Sequence, residues 1–500
     1  MRNSNQNSTS KRYQGYTQQY IGGQWRDGQS KDSRIIDTNP YDGKELVVIR
    51  GASVADVNDA YTSALAAQPA WEATSPRERA AIMRRAADIL LARRDEIIDL
   101  TIQETGGIRK FAEIIWYFAW SITDASASYP ALVKGGILQS DVPNQESMYY
   151  RKALGVVTVI SPWNSPINLT QRSLAPALAL GNTVVLKPAS DTPITGGLIH
   201  AKVFAEAGLP PDVLNVVVGS SSEIGDAVIK HPVSNLVSFT GSTSVGRSLL
   251  GKVGESPMLK RLALELGGNA PFVVLDDADL DAAVQALVVG RFLHQGQICM
   301  SANRAIVVAS VHDAFVDKLV ERIKSLPSGD PQHADTVIGP LINNAQVKSV
   351  LAKIEKAKSE GLHMILGGDV FGAMANIIPP HVFVDVASHH ALAREESFGP
   401  VLPILKARDE AHALELANDT EFGLSSAVFT KDLERGRRFI LQVKAGMGHV
   451  NDIPIADSEY APFGGERNSG IGRFNSDWIV DEYTRTHWIT TQRTRAELPF

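Results

Sequence analysis

Apolar positions along this chain follow a helical spacing first and a strand-like spacing later. After Ser53-Val54-Ala55-Asp56, which has the form of a capping box, Val54, Val57, Tyr61, Ala64 and Leu65 make one apolar stripe. Ser75-Pro76-Arg77-Glu78 opens a second helix with a cap, a proline at the first helical position and a carboxylate three residues after the cap. Its pattern runs on to the Gly106-Gly107 stop. From residue 155 short β-branched runs take over: GVVTVI (155–160), TVVLK (183–187), VLNVVV (213–218) and LVSF (236–239). Helix-like segments begin near Pro166, Thr192, Ser222 and Ser242. Strands alternating with helices predict an α/β fold, a parallel sheet with helices on both faces. Ligands of such sheets sit at the carboxyl ends of the strands, beside helix N-termini. A second apolar-rich block, from about Pro271 to Gly470, has its own strands (PFVVL, AIVVA) and a helix near 312–326. TRTHWITTQ (484–492) reads as a last strand with nothing after it to pair with, so its partner is expected elsewhere, on another subunit for example.

Composition narrows the function classes. Five hundred residues exceed one ordinary domain, and 44% apolar with 21% charged residues suits a soluble protein with large cores. A formal charge of -6 argues against a broad nucleic-acid-binding surface. The first twenty residues have no apolar h-region and predict a mobile polar tail over about 1–18. No apolar run approaches the ~18 residues that cross a bilayer. The nearest, Ile114 to Trp120, is bounded by Glu113 and Ser121 and reads as a core helix or pocket wall. No membrane partner and a cytoplasmic location are therefore expected. A single cysteine, Cys299, excludes an intramolecular disulfide and a multi-cysteine zinc site, and no metal is expected. It is either an inert small core residue or a nucleophile.

The stretch FTGSTSVGRS (239–248) fits a nucleotide-hydrolase phosphate loop at Gly241, Gly246 and Ser248, but Arg247 replaces the lysine that such a loop requires. Asp276 and Asp277, after the strand PFVVL, keep the hydrolase reading open. The alternative is a loop whose backbone N–H groups and Ser242 hydroxyl hold a pyrophosphate at a helix N-terminus, without hydrolysis.

Seven motifs in order then become familiar: PWN at 162–164, KPA at 187–189, FTGSTSVG, ELGG at 265–268, GQIC at 296–299, ESFGPV from Glu396 and PFGGERNSGIGR from Pro462. From about Tyr20 to Ile489 the chain resembles the aldehyde dehydrogenase superfamily, and within it the benzaldehyde and vanillin dehydrogenase branch. The resemblance implies three parts. Residues 19–133 and 154–267 would form a doubly wound, Rossmann-like NAD(P)-binding domain, and 268–470 an α/β catalytic domain. Residues 134–153 with 471–500 would form a small β oligomerisation element and tail, giving a homodimer or homotetramer. The implied activity is oxidation of an aldehyde to a carboxylic acid. Cys299 would be the nucleophile, its thiol acidified by a helix start at Gly296-Gln297. The Asn164 amide and the Cys299 N–H would hold the oxyanion. Glu265, with its pKa raised by desolvation after Leu262-Ala263-Leu264, would activate the water that opens the thioester. Its presence favours hydrolysis over transfer to coenzyme A.

Cofactor positions implied by the resemblance are Ser161, Pro162, Trp163, Lys187, Ala189, Ser190, Gly241, Ser242, Gly246, Leu266, Gly267, Glu396 and Phe398. Ser190 departs from the strictly NAD-using pattern, which has a glutamate there that repels a 2′-phosphate. Use of NADP+ as well as NAD+ is expected, unless Asp191 turns inward. For the aldehyde tunnel the resemblance offers Asn168, Leu169 and Arg172, then Ile115, Trp116 and Phe118 to Trp120, then Ile298, Ile453, Tyr460 and Phe463. These walls suit a flat apolar substrate. Asn168 and Arg172 share a helical face and are placed to hold a ring substituent, while Arg172 also reads as the partner of a structural carboxylate. Aliphatic aldehydes or semialdehydes are the competing substrates.

Overall fold

The computed structural model describes residues 12–494. Its largest sheet has eight strands in the spatial order Gly470–Ile471, Arg261–Glu265, Ser234–Thr240, Val156–Ile160, Thr183–Lys187, Leu214–Val216, Gln19–Ile21 and Gln24–Arg26. The five strands from Arg261–Glu265 to Leu214–Val216 are parallel. Helices cover both faces, which is why these strands are continuous β-branched runs rather than alternating ones. Chain order moves outward from Val156–Ile160 in one direction, then returns to its other side with Ser234–Thr240. That reversal is a topological switch point, where open α/β sheets bind ligands. Ile160 pairs with Phe239, so PWN and Gly241-Ser242 leave adjacent strands side by side. Thr240 pairs with Glu265, which brings Glu265 to the same edge.

From there the chain crosses through residues 266–269 into a second sheet of seven strands. Ala270–Val274 and Ala302–Val308 lie parallel near its centre, with Ala270 opposite Ala302. The carboxyl edge of the first sheet therefore faces the amino edge of the second, just ahead of which lies Cys299. Arg34–Thr38 and Glu45–Arg50 form a separate hairpin pair.

Three expectations change. Thr484–Gln492 pairs within its own chain, antiparallel along the whole of Gln145–Ala153, which in turn pairs with Gly136–Leu138. The nine-residue strand that completes its ladder lies more than three hundred residues earlier, inside the 134–153 segment that the resemblance groups with it, so what changes is that the partner belongs to the same chain. The outer edge stays open, with Trp488 and Ile489 exposed.

The second expected helix is two, Pro76–Ala92 and Arg94–Thr105. Arg93 breaks it at φ -102°, ψ 18° and pairs with Glu96 and Glu206. The Arg93 guanidinium also lies 3.3 Å over the Tyr13 ring. That contact explains the third change: residues 12–18 are docked, with the Tyr13 N–H on Glu96 (2.6 Å), Arg12 on Asp99 (2.9 Å) and Tyr16 buried. The rest of the expected tail, residues 1–11, lies outside the described residues.

The capping box at Ser53 forms as expected, Ser53 Oγ accepting from the Asp56 N–H and the Asp56 carboxylate from the Ser53 N–H. The segment near Thr192 starts as a π-helix, Ile194–Leu198, before continuing as Ile199–Glu206. Among the described residues no helix is long and apolar enough to cross a membrane.

Candidate active site

Cys299 comes after an unusual turn. Beyond the helix Leu280–Phe292 the backbone enters the left-handed region at His294 (φ 51°), Gln295 (φ 57°) and Gly296 (φ 73°). Side chains pin the turn and the cysteine loop: Gln295 Nε2 donates to Pro340 O (2.7 Å), and Ser301 Oγ donates to Gly290 O (2.9 Å). Gln297 Oε1 accepts the Ile342 N–H at 3.1 Å. Cys299 lies half-buried in this loop, not at a helix start. Gly268 is required opposite it, since a Cβ there would stand 2.2 Å from Cys299 O.

The thiol donates to Glu265 Oε1 at 3.2 Å. Glu265 is buried, and desolvation raises its carboxyl pKa against the opposing charge of Arg172 and the thiol's hydrogen bond. The thiol is pushed well above its ordinary value by burial and by the Glu265 charge. The expected acidification fails, because Cys299 lies in a loop rather than at a helix start and its nearest charged neighbour is a carboxylate. Asn164 Nδ2 donates to Gln297 O at 2.9 Å, which fixes the amide beside the cysteine loop.

Two cavities meet at Cys299, Asn164 and Leu169. The first, about 250 Å³, occupies the switch point. Pro162, Trp163, Gly241, Ser242, Leu266 and Gly267 line it from the first sheet, with Glu396 and Phe398 from the other side. Ser242 caps the helix Thr243–Gly254. The Gly268 N–H donates to Glu396 Oε1 (2.9 Å), and burial raises the Glu396 carboxyl to about 7 against that bond and the charges of Lys353 and Arg291. Trp163 and Phe398 meet edge-on at 5.4 Å. A helix N-terminus for phosphate, a buried carboxylate for hydroxyls and flanking rings fit a nicotinamide dinucleotide.

Other expected cofactor positions lie off this wall. Ser161 Oγ donates to Gly196 O (3.1 Å), and Gly246 packs against Leu266, where a Cβ would meet Cδ2 at 2.5 Å. Lys187 is buried, its Nζ 3.4 Å from Pro188 O and its pKa lowered to about 8 by desolvation. Ala189 and Ser190 come after that strand, half-buried. Asp191 is held by Asn343 Nδ2 at 2.9 Å. Thr240, within FTGSTSVG, also lines the cavity, as do Gln346, Ser349 and Lys353, to which no motif in the sequence pointed. The last three share one face of the helix Asn344–Ser359 by their spacing, a signal present in the sequence. Lys353 Nζ donates to the Glu396 carbonyl.

The second cavity, about 290 Å³, is mostly apolar. The helix Arg109–Ser126 presents Phe111, Ile114, Ile115 and Phe118 to it, and the helix Pro166–Ala179 presents Asn168, Leu169 and Arg172. Ile298, Ile453 and Phe463 complete the expected wall, while Met300, Ile455 and Asp457 are additions. Trp116 is a correction: it faces away, its Nε1 donating to Leu90 O at 3.0 Å. Trp120 stacks on Trp116 at 6.5 Å, and Tyr460 is 68% exposed, so neither lines the cavity. Arg172 is ion-paired with Asp457. The hydrolase alternative loses its parts as well, since Arg247 pairs with Glu421 (3.0 Å) and Asp276 and Asp277 both engage Arg435.

The site geometry has two measurable consequences. Gly268→Ala must displace the Cys299 carbonyl, and a shift of that size costs about 100-fold in kcat/KM. Steady-state rates beside an unchanged circular dichroism spectrum check this. In the cofactor role that the resemblance implies, Glu396 would accept hydroxyls best when ionised, and its raised pKa places the loss of that form near pH 7. The KM for the dinucleotide is therefore expected to rise as pH falls from 8 to 6, and Glu396→Gln is expected to flatten the dependence.

The aldehyde dehydrogenase family model matches residues 25–489. A vanillin dehydrogenase of Corynebacterium glutamicum is 52% identical over 482 residues, covering 96% of this chain and 98% of the relative. A benzaldehyde dehydrogenase of Bacillus subtilis is 42% identical over 488 residues, covering 98% and 99%. The crystal structure of an NAD-dependent benzaldehyde dehydrogenase from Corynebacterium glutamicum superposes with a TM-score of 0.89 at 49% identity, covering 97% of this chain and 99% of that one. With a cysteine, a carboxylate and an amide converging where two cavities meet, the chain belongs to the aldehyde dehydrogenase family and is an NAD(P)-dependent oxidoreductase acting on aldehydes.

Proposed function

We propose that the protein oxidises aromatic aldehydes of the benzaldehyde and vanillin type to their carboxylic acids with NAD+, and that NADP+ also serves. The observation that carries this reading is the apolar, aromatic-walled cavity that ends on Cys299 and meets the dinucleotide-shaped cavity there. The names of the vanillin and benzaldehyde dehydrogenases at 52% and 42% identity support it.

Cys299 Sγ bonds to the aldehyde carbon as its proton passes toward Glu265, the acceptor 3.2 Å away. The carbonyl oxygen becomes an oxyanion held by the Cys299 N–H and by Asn164 Nδ2, whose amide is fixed on Gln297 O before the substrate arrives. Nicotinamide, when bound, supplies the acceptor for the hydride that leaves the same carbon. Cys299 then carries the acyl group as a thioester. Glu265, having released the first proton to solvent, takes one from the attacking water; the acid departs and the thiol is restored. Desolvation of Glu265 suits this second role, because a raised pKa makes it the stronger base. Pairing of Arg172 with Asp457 removes the free cation that a semialdehyde carboxylate would need. Ser190 lacks the carboxylate that would repel a 2′-phosphate, and Asp191 is engaged by Asn343.

Purified protein is expected to reduce NAD+ with benzaldehyde at least tenfold faster than with hexanal at equal concentration, and Cys299→Ala to abolish both reactions. Ser190→Glu is expected to cut kcat/KM for NADP+ at least tenfold relative to NAD+. Preference for hexanal contradicts the aromatic reading, and activity surviving in Cys299→Ala contradicts the mechanism.

A further inference from the structure

His294 is a buried titratable side chain that the oxidation does not use. It precedes Cys299 by five residues, is wholly buried and lines neither cavity. Burial lowers its pKa to about 3, so the imidazole stays neutral near pH 7 and is no acid or base for the reaction. Neither ring nitrogen meets a partner at full hydrogen-bond geometry, although the Asn164 backbone is close enough to offset part of the desolvation. An imidazole kept in such a place, at a cost in unmet hydrogen bonds, calls for a reason.

Its surroundings supply one. The ring stacks on Phe111, with centroids 4.0 Å apart and planes 7° from parallel, and Phe111 lines the second cavity. The imidazole also lies against the Gly106-Gly107 junction between the helices Arg94–Thr105 and Arg109–Ser126. A Cβ on Gly107 would stand 3.1 Å from His294 Nδ1 and 2.9 Å from the Phe111 ring, so glycine is what lets the stack form. Next in the chain, Gln295 Nε2 donates to Gly106 O at 3.3 Å. Two consecutive residues of the left-handed turn are thus keyed into one helix junction.

From the turn, hydrogen bonds lead to the reacting groups. His294 O accepts the Gln297 N–H at 3.0 Å and Gln297 Nε2 at 3.4 Å. Gln297 O accepts the Asn164 amide at 2.9 Å, and Cys299 comes two residues later. Asparagine tolerates the left-handed region as histidine does, so the backbone at φ 51° does not itself require an imidazole. We propose that His294 is a positioning residue whose stack on Phe111 sets the register of the 294–297 turn, and through it the places of the Asn164 amide and the Cys299 thiol. The proposal rests on the reading of those two groups as oxyanion donor and nucleophile. Without the ring, the void beside Phe111 lets the turn relax, and both groups lose alignment together.

The test separates the ring from the backbone. His294→Asn keeps a residue suited to the left-handed turn and removes the stack, while Phe111→Leu removes the stack from the other side. Each variant is expected to lose roughly tenfold in kcat with benzaldehyde, with the KM for NAD+ held within about twofold. The double variant is expected to be no slower than the slower single one, because the two rings act as a unit. A displaced turn also moves the thiol from Glu265, so alkylation of Cys299 by iodoacetamide, read without aldehyde at fixed pH, is expected to quicken about threefold or more in both variants. An unchanged kcat or unchanged alkylation in His294→Asn, or losses that multiply in the double variant, overturn the proposal. Should His294→Asn not fold, Phe111→Leu carries the test. A kcat loss there with faster alkylation supports the keying, whereas a loss with alkylation unchanged assigns Phe111 to the substrate alone and overturns it. Full activity in Cys299→Ala overturns instead the reading on which the proposal rests.

Discussion

The hydrogen bond from Cys299 Sγ to Glu265 Oε1, 3.2 Å long, couples two groups that the proposed mechanism uses at different times. In that mechanism the thiol must ionise to attack, and the carboxylate must later take a proton from water. In a buried site the two cannot both be charged without large cost, so the pair holds one proton between them. Burial raises the pKa of each group; the Glu265 charge pushes the thiol up further, while the thiol's hydrogen bond lowers Glu265. Arg172 lowers both, and its own charge is tempered by Asp457. The resting protein thus keeps its thiol protonated beside a base, a state less prone to oxidation than a free thiolate.

That contact exists because two sheets meet edge to edge. Glu265 ends a strand of the first, Ala270 begins a strand of the second, and the four residues between them carry the chain across. Gly268 allows the crossing to pass against the Cys299 carbonyl, and its N–H reaches the Glu396 carboxylate. One short segment therefore fixes the Cys299 loop, Glu265 and Glu396 together. The left-handed turn at His294–Gly296 completes the arrangement from the cysteine side.

Much of this was legible in the sequence. β-branched runs marked the parallel strands, since burial on both faces removes alternation, and seven motifs in order marked Cys299, Glu265 and Asn164. The failures have separate physical causes. Trp116 reads as a pocket residue because it is aromatic and adjacent to Ile115. A helix turns 100° per residue, however, and the stripe Phe111, Ile114, Ile115, Phe118 was the readable face. The thiol's environment depends on Glu265, brought from 34 residues earlier by strand pairing, which local context around Gly296-Gln297 does not encode. Pairing of Arg172 with a structural carboxylate was one of the two readings the sequence offered, but the partner, Asp457, comes from a loop without periodicity and could not be named from it. Gln346, Ser349 and Lys353, by contrast, stand at helical spacing beside one another and were readable.

The most direct test of the coupled pair is the pH dependence of Cys299 alkylation by iodoacetamide, a neutral probe of thiolate, in the unmodified protein and in Glu265→Gln. As the sole cysteine, Cys299 gives an unambiguous signal. If the Glu265 charge holds the proton on the thiol, removing it lowers the midpoint of the alkylation profile by about one pH unit or more. A midpoint that stays in place or moves up in Glu265→Gln would contradict the account.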